Sequence, residues 1–344
     1  MAKEVSDHES FAIRHRGGVM FERYDIDLHL HPYLGYALAR NHRSAIINTD
    51  EEGFRHADSP FGSVDGPGWR AAGGGGVVLG NSTAFGMAAQ SDHGTVASHL
   101  ALLRGDRQLN LGVVGGNSVQ EVIAGLPYLD LADTVVVFSG AGDYWTSLAS
   151  WTPHSAWGPL FFEGTLTSLT SIPLFQLAAV ASGADPDWRP QAQPKPEAAD
   201  RPDFADVVER VEAAAARQVR NLSVVQRLAR PGARLLFALQ PFATPRSREL
   251  SAAEMEHFDF HMPMFGQEKN RPFEHHWGRF AELVAKGCSE LGVPFTDVSA
   301  DRFEGFAFSD HFHLTDEGNR QAAVMIHEAL AALPAPTAPP TAQP

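Results

Sequence analysis

A serine directly follows a short apolar run in Val77-Val78-Leu79-Gly80-Asn81-Ser82, and an aspartate stands three residues before a histidine in Asp310-His311-Phe312-His313. A serine at the end of a buried strand is a candidate nucleophile. An aspartate spaced in this way can share one loop with its histidine as an acid–base partner. Together Ser82, His313 and Asp310 have the residue types of a catalytic triad for acyl transfer. Each also has a commoner structural use. Serine after a strand is usually a helix cap or a turn residue, and Asp310 and His313 could cap a helix starting near Thr315. Their joint occurrence favours chemistry. His311, between them, reads as a solvated bystander or a pocket wall.

The elements that must position these groups alternate along the chain. Val77–Leu79, Leu109–Val114, Thr134–Ser139, Leu235–Leu239 and Phe295–Val298 read as strands. Thr95–Arg104, Asn117–Leu126, Asp203–Arg230, Phe280–Leu291 and Thr315–Leu333 read as helices. In the longest of these, Phe204, Val208, Val211, Ala215, Leu222 and Val225 recur at helical spacing, and Pro231-Gly232 ends it. This rhythm predicts a three-layer α/β/α sandwich on a parallel five-stranded sheet. In such sheets ligands bind at the carboxyl ends of strands. Ser82 follows the first strand, Gly115 the second, and Gly140-Ala141-Gly142-Asp143 the third. Residues 1–70 are expected to form an N-terminal extension or cap and residues 71–332 the main domain. Within it, 183–201 should be an exposed insertion rich in Pro, Ala, Gln and Asp, and 333–344 a disordered Pro/Ala tail.

Composition narrows the function classes. Among 344 residues, 44% are hydrophobic, enough for a sizeable core, and the formal charge is −14. That charge argues against nucleic acid or an anionic membrane as partner. Cys288 is the single cysteine, so no intrachain disulfide can form. The first residues lack the apolar core of a signal peptide, and no apolar run reaches bilayer-spanning length. A soluble, cytoplasmic protein is the expectation, with its oligomeric state unreadable.

The motifs resemble those of the SGNH (GDSL-like) hydrolases of bacterial type. Gly80-Asn81-Ser82 resembles block I. Asn110-Leu111-Gly112-Val113-Val114-Gly115 resembles block II, Gly140-Ala141-Gly142-Asp143 block III, and Asp310-His311-Phe312-His313 block V. They occur in the family's order and span roughly residues 76–330. His31-Pro32-Tyr33-Leu34-Gly35-Tyr36, with Asn48 and Gly53-Phe54-Arg55, also resembles a lead-in seen in bacterial members. The resemblance implies an SGNH/flavodoxin-like fold and a serine esterase working through a Ser82 acyl-enzyme on an ester of a sugar or small biosynthetic intermediate. The backbone N–H groups of Ser82 and Gly115 would face the oxyanion. An acyltransferase would use the same acyl-enzyme. No cofactor is implied. Two positions depart from the family. Asn81 stands where aspartate is usual, and Gly142 where an asparagine supplies an oxyanion donor. Losing one such donor typically costs on the order of 10²–10³ in rate. Asn117 is a candidate substitute, and a catalytically impaired binding protein is the alternative. Asp143 reads as a loop carboxylate bonded to backbone amides. Tyr144 and Trp145, with Trp151, His154 and Trp157, could line an acyl or sugar pocket or pack as a flap.

Other chemistries fit less well. Asp27-Leu28-His29-Leu30-His31, Glu256-His257 with His261, and Glu274-His275-His276 suggest metal ligands. The chain holds 16 histidines, however, and none of these clusters sits at a strand end of the α/β rhythm. Gly73–Gly76 precedes its strand, the wrong side for cradling a phosphate. Gly80-Asn81-Ser82-Thr83-Ala84 lacks the second glycine of the α/β-hydrolase elbow.

Overall fold

The computed structural model describes residues 28–149, 155–161, 163, 166, 172–183, 206–244, 247–255 and 267–334. The chain first forms two antiparallel hairpins, β1 (Leu28–His31) with β2 (Gly35–Leu38) and β3 (Ala57–Ser59) with β4 (Gly62–Val64). Helix α1 (Gly66–Ala71) follows, with Asp65 accepting from Gly68 N as its cap. Strand and helix then alternate: β5 (Gly76–Gly80), α2 (Ser82–Phe85), α3 (Val96–Arg104), β6 (Gln108–Gly112), α4 (Ser118–Gly125), β7 (Thr134–Ser139) and α5 (Ala141–Ala149). After α6 (Leu174–Ala181) come α7 (Val207–Leu228), β8 (Arg234–Leu239), α8 (Gln267–Leu291), β9 (Phe295–Asp297) and α9 (Asp316–Ala331).

The sheet has five strands in the order β6-β5-β7-β8-β9, all pairs parallel. Every residue of β5, β6 and β7 is buried, the pattern of strands covered on both faces. Helices α3 and α9 pack together on one side; α4, α5, α7 and α8 form the other layer. After β5 the chain steps outward to β6, and then returns past β5 to β7. The strand order therefore reverses beside β5, and that is where a ligand crevice opens in such sheets. Ser82 lies two residues beyond the end of β5.

The N-terminal hairpins and α1 share the core of the sheet. Leu34, Phe54, Ala57, Val64 and Trp69 belong to the same buried cluster as Val77 and Val135. Trp69 is fully buried and donates its indole N–H to Gly76 O at 3.0 Å. Strand β3 packs on α3 and on the edge strand β6, which covers an edge that would otherwise be open to pairing.

Boundaries differ from the expectations in instructive places. Strand β6 ends at Gly112, because Asn110 Oδ1 takes the Gly112 N–H at 3.0 Å and the chain turns. The block III stretch forms helix α5 from Ala141 onward, closed by Tyr144 N donating to Gly140 O at 3.0 Å. Helix α8 begins at Gln267, ahead of its apolar positions. Helix α7 starts at Val207; Asp203 and Phe204 lie outside the described residues, as do 184–201 and 335–344. Val208 is half exposed, whereas Arg210, Arg217, Gln218 and Asn221 are buried. The inward face of α7 is thus partly polar, a pattern that a search for apolar spacing cannot find.

Those polar groups form a network under the block III helix. Asp143 is fully buried and accepts from Ser118 N at 2.6 Å, Ser118 Oγ at 3.1 Å and Arg217 Nε at 2.9 Å. It sits in the first turn of α5, not in a loop, and its carboxylate meets a guanidinium as well as a backbone amide. Burial and the nearby Asp143 charge hold Glu121 well above the ordinary carboxylate range, and Ser139 Oγ donates to it at 2.7 Å. Removing one partner of a buried ion pair strands the other charge, at about 3–5 kcal/mol. Arg217→Leu is therefore expected to lower unfolding free energy by about 3 kcal/mol, the low end, because Ser118 still serves Asp143. Urea denaturation with intrinsic fluorescence checks this, and a loss under about 1 kcal/mol would contradict it.

Candidate active site

The serine turn is built by close approach of strand ends. A side chain at Gly80 would place its Cβ 2.0 Å from Phe138 O, so glycine alone lets β5 and β7 end side by side. Asn81 leaves the strand with extended backbone and caps α2, its Oδ1 accepting from Thr83 N at 3.0 Å. Its amide also pairs reciprocally with that of Gln240. Asn81 Nδ2 donates to Gln240 Oε1 and Gln240 Nε2 donates to Asn81 Oδ1, both at 2.9 Å. Gln240 further donates to Phe138 O at 2.8 Å and accepts from Ala141 N at 3.2 Å. One buried glutamine thus ties together the ends of β5, β7 and β8. An aspartate at 81 would accept from Thr83 and Gln240 but could not donate to Gln240 Oε1, which explains the asparagine in block I.

The same pair accounts for Gly142. A Cβ there would lie 2.6 Å from Gly116 O and 2.7 Å from Asn81 Nδ2. The Asn81–Gln240 pair and the Gly116 carbonyl occupy the space where a block III side chain would begin. The two departures from the family pattern are therefore one packing arrangement. Placing the asparagine of the resembled pattern here, Gly142→Asn, is expected to destabilise by about 1–3 kcal/mol through overpacking, without raising turnover. A thermal melt and an ester assay on the variant check both halves.

Across the crevice, the loop after β9 brings the other two groups to Ser82. Ser82 Oγ lies 2.7 Å from His313 Nε2, and His313 Nδ1 lies 2.6 Å from Asp310 Oδ2. With Nδ1 carrying the ring proton and donating it to Asp310, Nε2 is free to accept from the serine hydroxyl. Asp310 Oδ1 accepts from Phe312 N at 3.0 Å and His313 N at 2.9 Å, so the loop holds its own carboxylate. Ser309 N donates to His313 O at 2.9 Å, and Phe308 bridges Leu314. Thr83 Oγ1 donates to Phe312 O at 3.1 Å and links the serine turn to the histidine loop. Fully buried Glu254 clamps the approach to the loop, accepting from Ala307 N at 3.0 Å and Phe308 N at 3.1 Å. His311 is buried and not solvated. Its Nδ1 is 2.8 Å from Ala243 O, and its ring stacks on Phe242 at 5.4 Å.

Gly115 lies at the end of block II with φ +69°. Among the described residues, neither Ser82 N–H nor Gly115 N–H has a hydrogen-bond acceptor. The Asn117 side chain is committed elsewhere. Its Oδ1 caps α4 by accepting from Val119 N and Gln120 N, and its Nδ2 donates to Pro159 O at 2.9 Å and Trp157 O at 3.4 Å. It is a helix cap and loop tie, and not a substitute oxyanion donor. Gly140 turns the chain out of β7 at φ +122°. Tyr144 is core: it is fully buried against Phe242, Trp277 and Phe280, and burial pushes its hydroxyl pKa up. Trp145 packs its ring on Phe312 at 5.7 Å, behind the histidine loop. Trp157 is largely exposed, and Trp151 and His154 lie outside the described residues.

Among the described residues no group of three His, Cys, Asp or Glu side chains could hold a metal ion. Asp27, Glu256, His257 and His261 fall outside them. No described helix is long and apolar enough to cross a membrane. Gln240 and Glu254 were not anticipated from sequence. Gln240 directly follows β8, so the strand-end rule that pointed to Ser82 and Gly115 also reaches it; nothing local marks Glu254.

No sequence-family description matches the chain, and no curated protein does. Solved structures do. One is a carbohydrate acetylesterase from Sinorhizobium meliloti, at 13% identity over 75% of this chain and 98% of that one, with a TM-score of 0.39. Another is a protein of the G-D-S-L family from Desulfitobacterium hafniense DCB-2, at 12% identity over 74% and 98%, TM-score 0.35. A third is an acetyl xylan esterase from the rumen bacterium Butyrivibrio proteoclasticus, at 12% identity over 74% and 63%, TM-score 0.37. Five parallel strands in this order, with helices on both faces, make a three-layer α/β/α sandwich, and Ser82, Gly115 and Gly140 follow three of its strands at one edge.

Proposed function

We propose that the chain is a serine hydrolase that cleaves ester bonds through a Ser82 acyl-enzyme. The observation that carries this reading is the relay of 2.7 Å from Ser82 Oγ to His313 Nε2 and 2.6 Å from His313 Nδ1 to Asp310. Ser82 Oγ attacks the acyl carbonyl while Nε2 takes its proton. The imidazolium, stabilised by ionised Asp310, returns that proton to the leaving alkoxide as the tetrahedral intermediate collapses. A water molecule then attacks the acyl-enzyme with His313 again as base, releasing the acid and restoring the serine. The Ser82 and Gly115 N–H groups receive the oxyanion. The resemblance points to an acyl ester of a sugar or small biosynthetic intermediate as substrate. Transfer of the acyl group to an alcohol or amine would use the same steps with a different second acceptor.

Gly142 is the observation that favours a non-catalytic binding protein, because it removes a donor. Against it stand three aligned side chains that a binding site does not require. Intact-mass analysis after treatment with a fluorophosphonate separates the two readings. One adduct on the protein, absent from Ser82→Ala, is expected. No adduct on either would discard the hydrolase.

A further inference from the structure

The turn that carries Gly115 is held from outside the sheet. Gly116 N donates to Val113 O at 2.9 Å, closing a four-residue turn with Gly115 in its third position. Gly115 has φ +69°, and Val114 is not left-handed. A left-handed residue at the third position alone is the type II pattern. Types I and II differ by a flip of the central peptide, which here is Val114–Gly115 and carries the Gly115 N–H. The Gly115 carbonyl belongs to the next peptide, Gly115–Gly116, whose N–H already bonds Val113 O, so a bond to that carbonyl does not choose the turn type but fixes where Gly115 sits.

Tyr36, on β2 and 79 residues away in sequence, donates its hydroxyl to Gly115 O at 2.7 Å. Its ring stands 3.3 Å from where a Gly115 Cβ would be, so it also closes that side of the turn. Tyr36 is 4% exposed, and burial pushes its hydroxyl up to about 12, so it remains a neutral donor across any working pH. The Gln120 side chain and the Phe161 backbone lie beside the same hydroxyl and act against that upward shift. Gln120 also donates to Leu34 O at 2.5 Å and accepts from Asn117 N at 3.0 Å, fastening the β1–β2 hairpin to the block II loop a second time.

We propose that Tyr36 is a positioning residue of the oxyanion site, whose hydroxyl on the Gly115 carbonyl and ring against the Gly115 Cα hold that glycine, and with it the donor N–H, in place beside the acyl carbonyl. This rests on the Ser82 acyl-enzyme reading. It assigns the N-terminal hairpin a part in the chemistry. The part is larger here than it would be with a block III asparagine: Gly142 supplies no side chain, so the orientation of two backbone donors carries the oxyanion.

Tyr36→Phe keeps the ring and removes only the anchoring hydroxyl. A hydrogen bond of ordinary net strength corresponds to a rate effect of about 3- to 10-fold. The second-order rate constant for fluorophosphonate labelling of Ser82, and kcat on p-nitrophenyl acetate, are both expected to fall by that factor with KM held. Loss at kcat alone marks an interaction made in the transition state. Misfolded protein lowers the amplitude of labelling and not its rate constant, so a merely structural role would leave the rate constant unchanged. An unchanged rate constant in Tyr36→Phe, with wild type labelled at Ser82, would overturn the positioning role and leave the triad standing. Absence of labelling in wild type would overturn the acyl-enzyme reading first, and this inference with it.

Discussion

Ser82→Ala is expected to reduce ester hydrolysis by on the order of 10⁴–10⁶ while leaving the melting temperature close to that of the parent. The hydroxyl is the only group on the serine that makes the new bond. Alanine leaves the His313–Asp310 pair intact but with no proton to take. The structural cost is small because, among the described residues, the hydroxyl makes one hydrogen bond, the 2.7 Å bond to His313 Nε2, and the serine lies at the crevice. Capping of α2 is untouched, since Asn81 and not Ser82 accepts from Thr83 N. Steady-state kinetics on p-nitrophenyl acetate, with a melt on the same sample, tests both parts. Turnover within about tenfold of wild type would remove Ser82 from the mechanism.

Asp310→Asn is expected to cost on the order of 10⁴ in kcat, the scale seen when a triad aspartate is amidated in serine proteases. The local geometry gives the reason. Asp310 Oδ1 accepts two backbone N–H groups, from Phe312 and His313, and Oδ2 faces His313 Nδ1 at 2.6 Å. An asparagine keeps the two backbone bonds only by turning its oxygen to them, and its NH₂ then points at Nδ1. Nδ1 must become an acceptor, which moves the ring proton to Nε2 and aims it at Ser82. The histidine can no longer take the serine proton. Because the loop bonds survive, stability should change little, and loss of activity with an unchanged melt is the signature. If kcat instead stayed within a factor of about ten, the carboxylate would not be orienting the imidazole.

The strand ends were legible in the chain because two local signals coincide there. Val77–Leu79 and Thr134–Ser139 are apolar and β-branched enough to be read as buried parallel strands. Asn81-Ser82 and Gly140 follow them at once, so the edge on which Ser82, Gly115 and block III converge could be stated from sequence. The spacing from Asp310 to His313 belongs to the same class, since its geometry closes within one loop. Helices α3, α4 and α9 were legible as elements starting at Thr95, Asn117 and Thr315, and the structure shows each of these accepting a backbone N–H of its own helix as a cap.

Asn117 shows where that reading stops. Its type suits an oxyanion donor as well as a cap, and only the position of Trp157 and Pro159 decides that its amide is already taken. Tyr144 is similar: an aromatic next to a motif suits a pocket or a core, and the packing of Phe242, Trp277 and Phe280 settles it as core. By itself the sequence determined the α/β rhythm, the sheet edge on which the candidate residues converge and the residue types suited to acyl transfer, because these depend on side chains a few positions apart. The tertiary structure alone decided that Asn81 pairs with Gln240, that this pair leaves no room beside Gly142, and that Tyr36 meets Gly115. Those contacts join residues 159 and 79 positions apart, and no local propensity encodes which distant groups the fold will bring within a hydrogen bond.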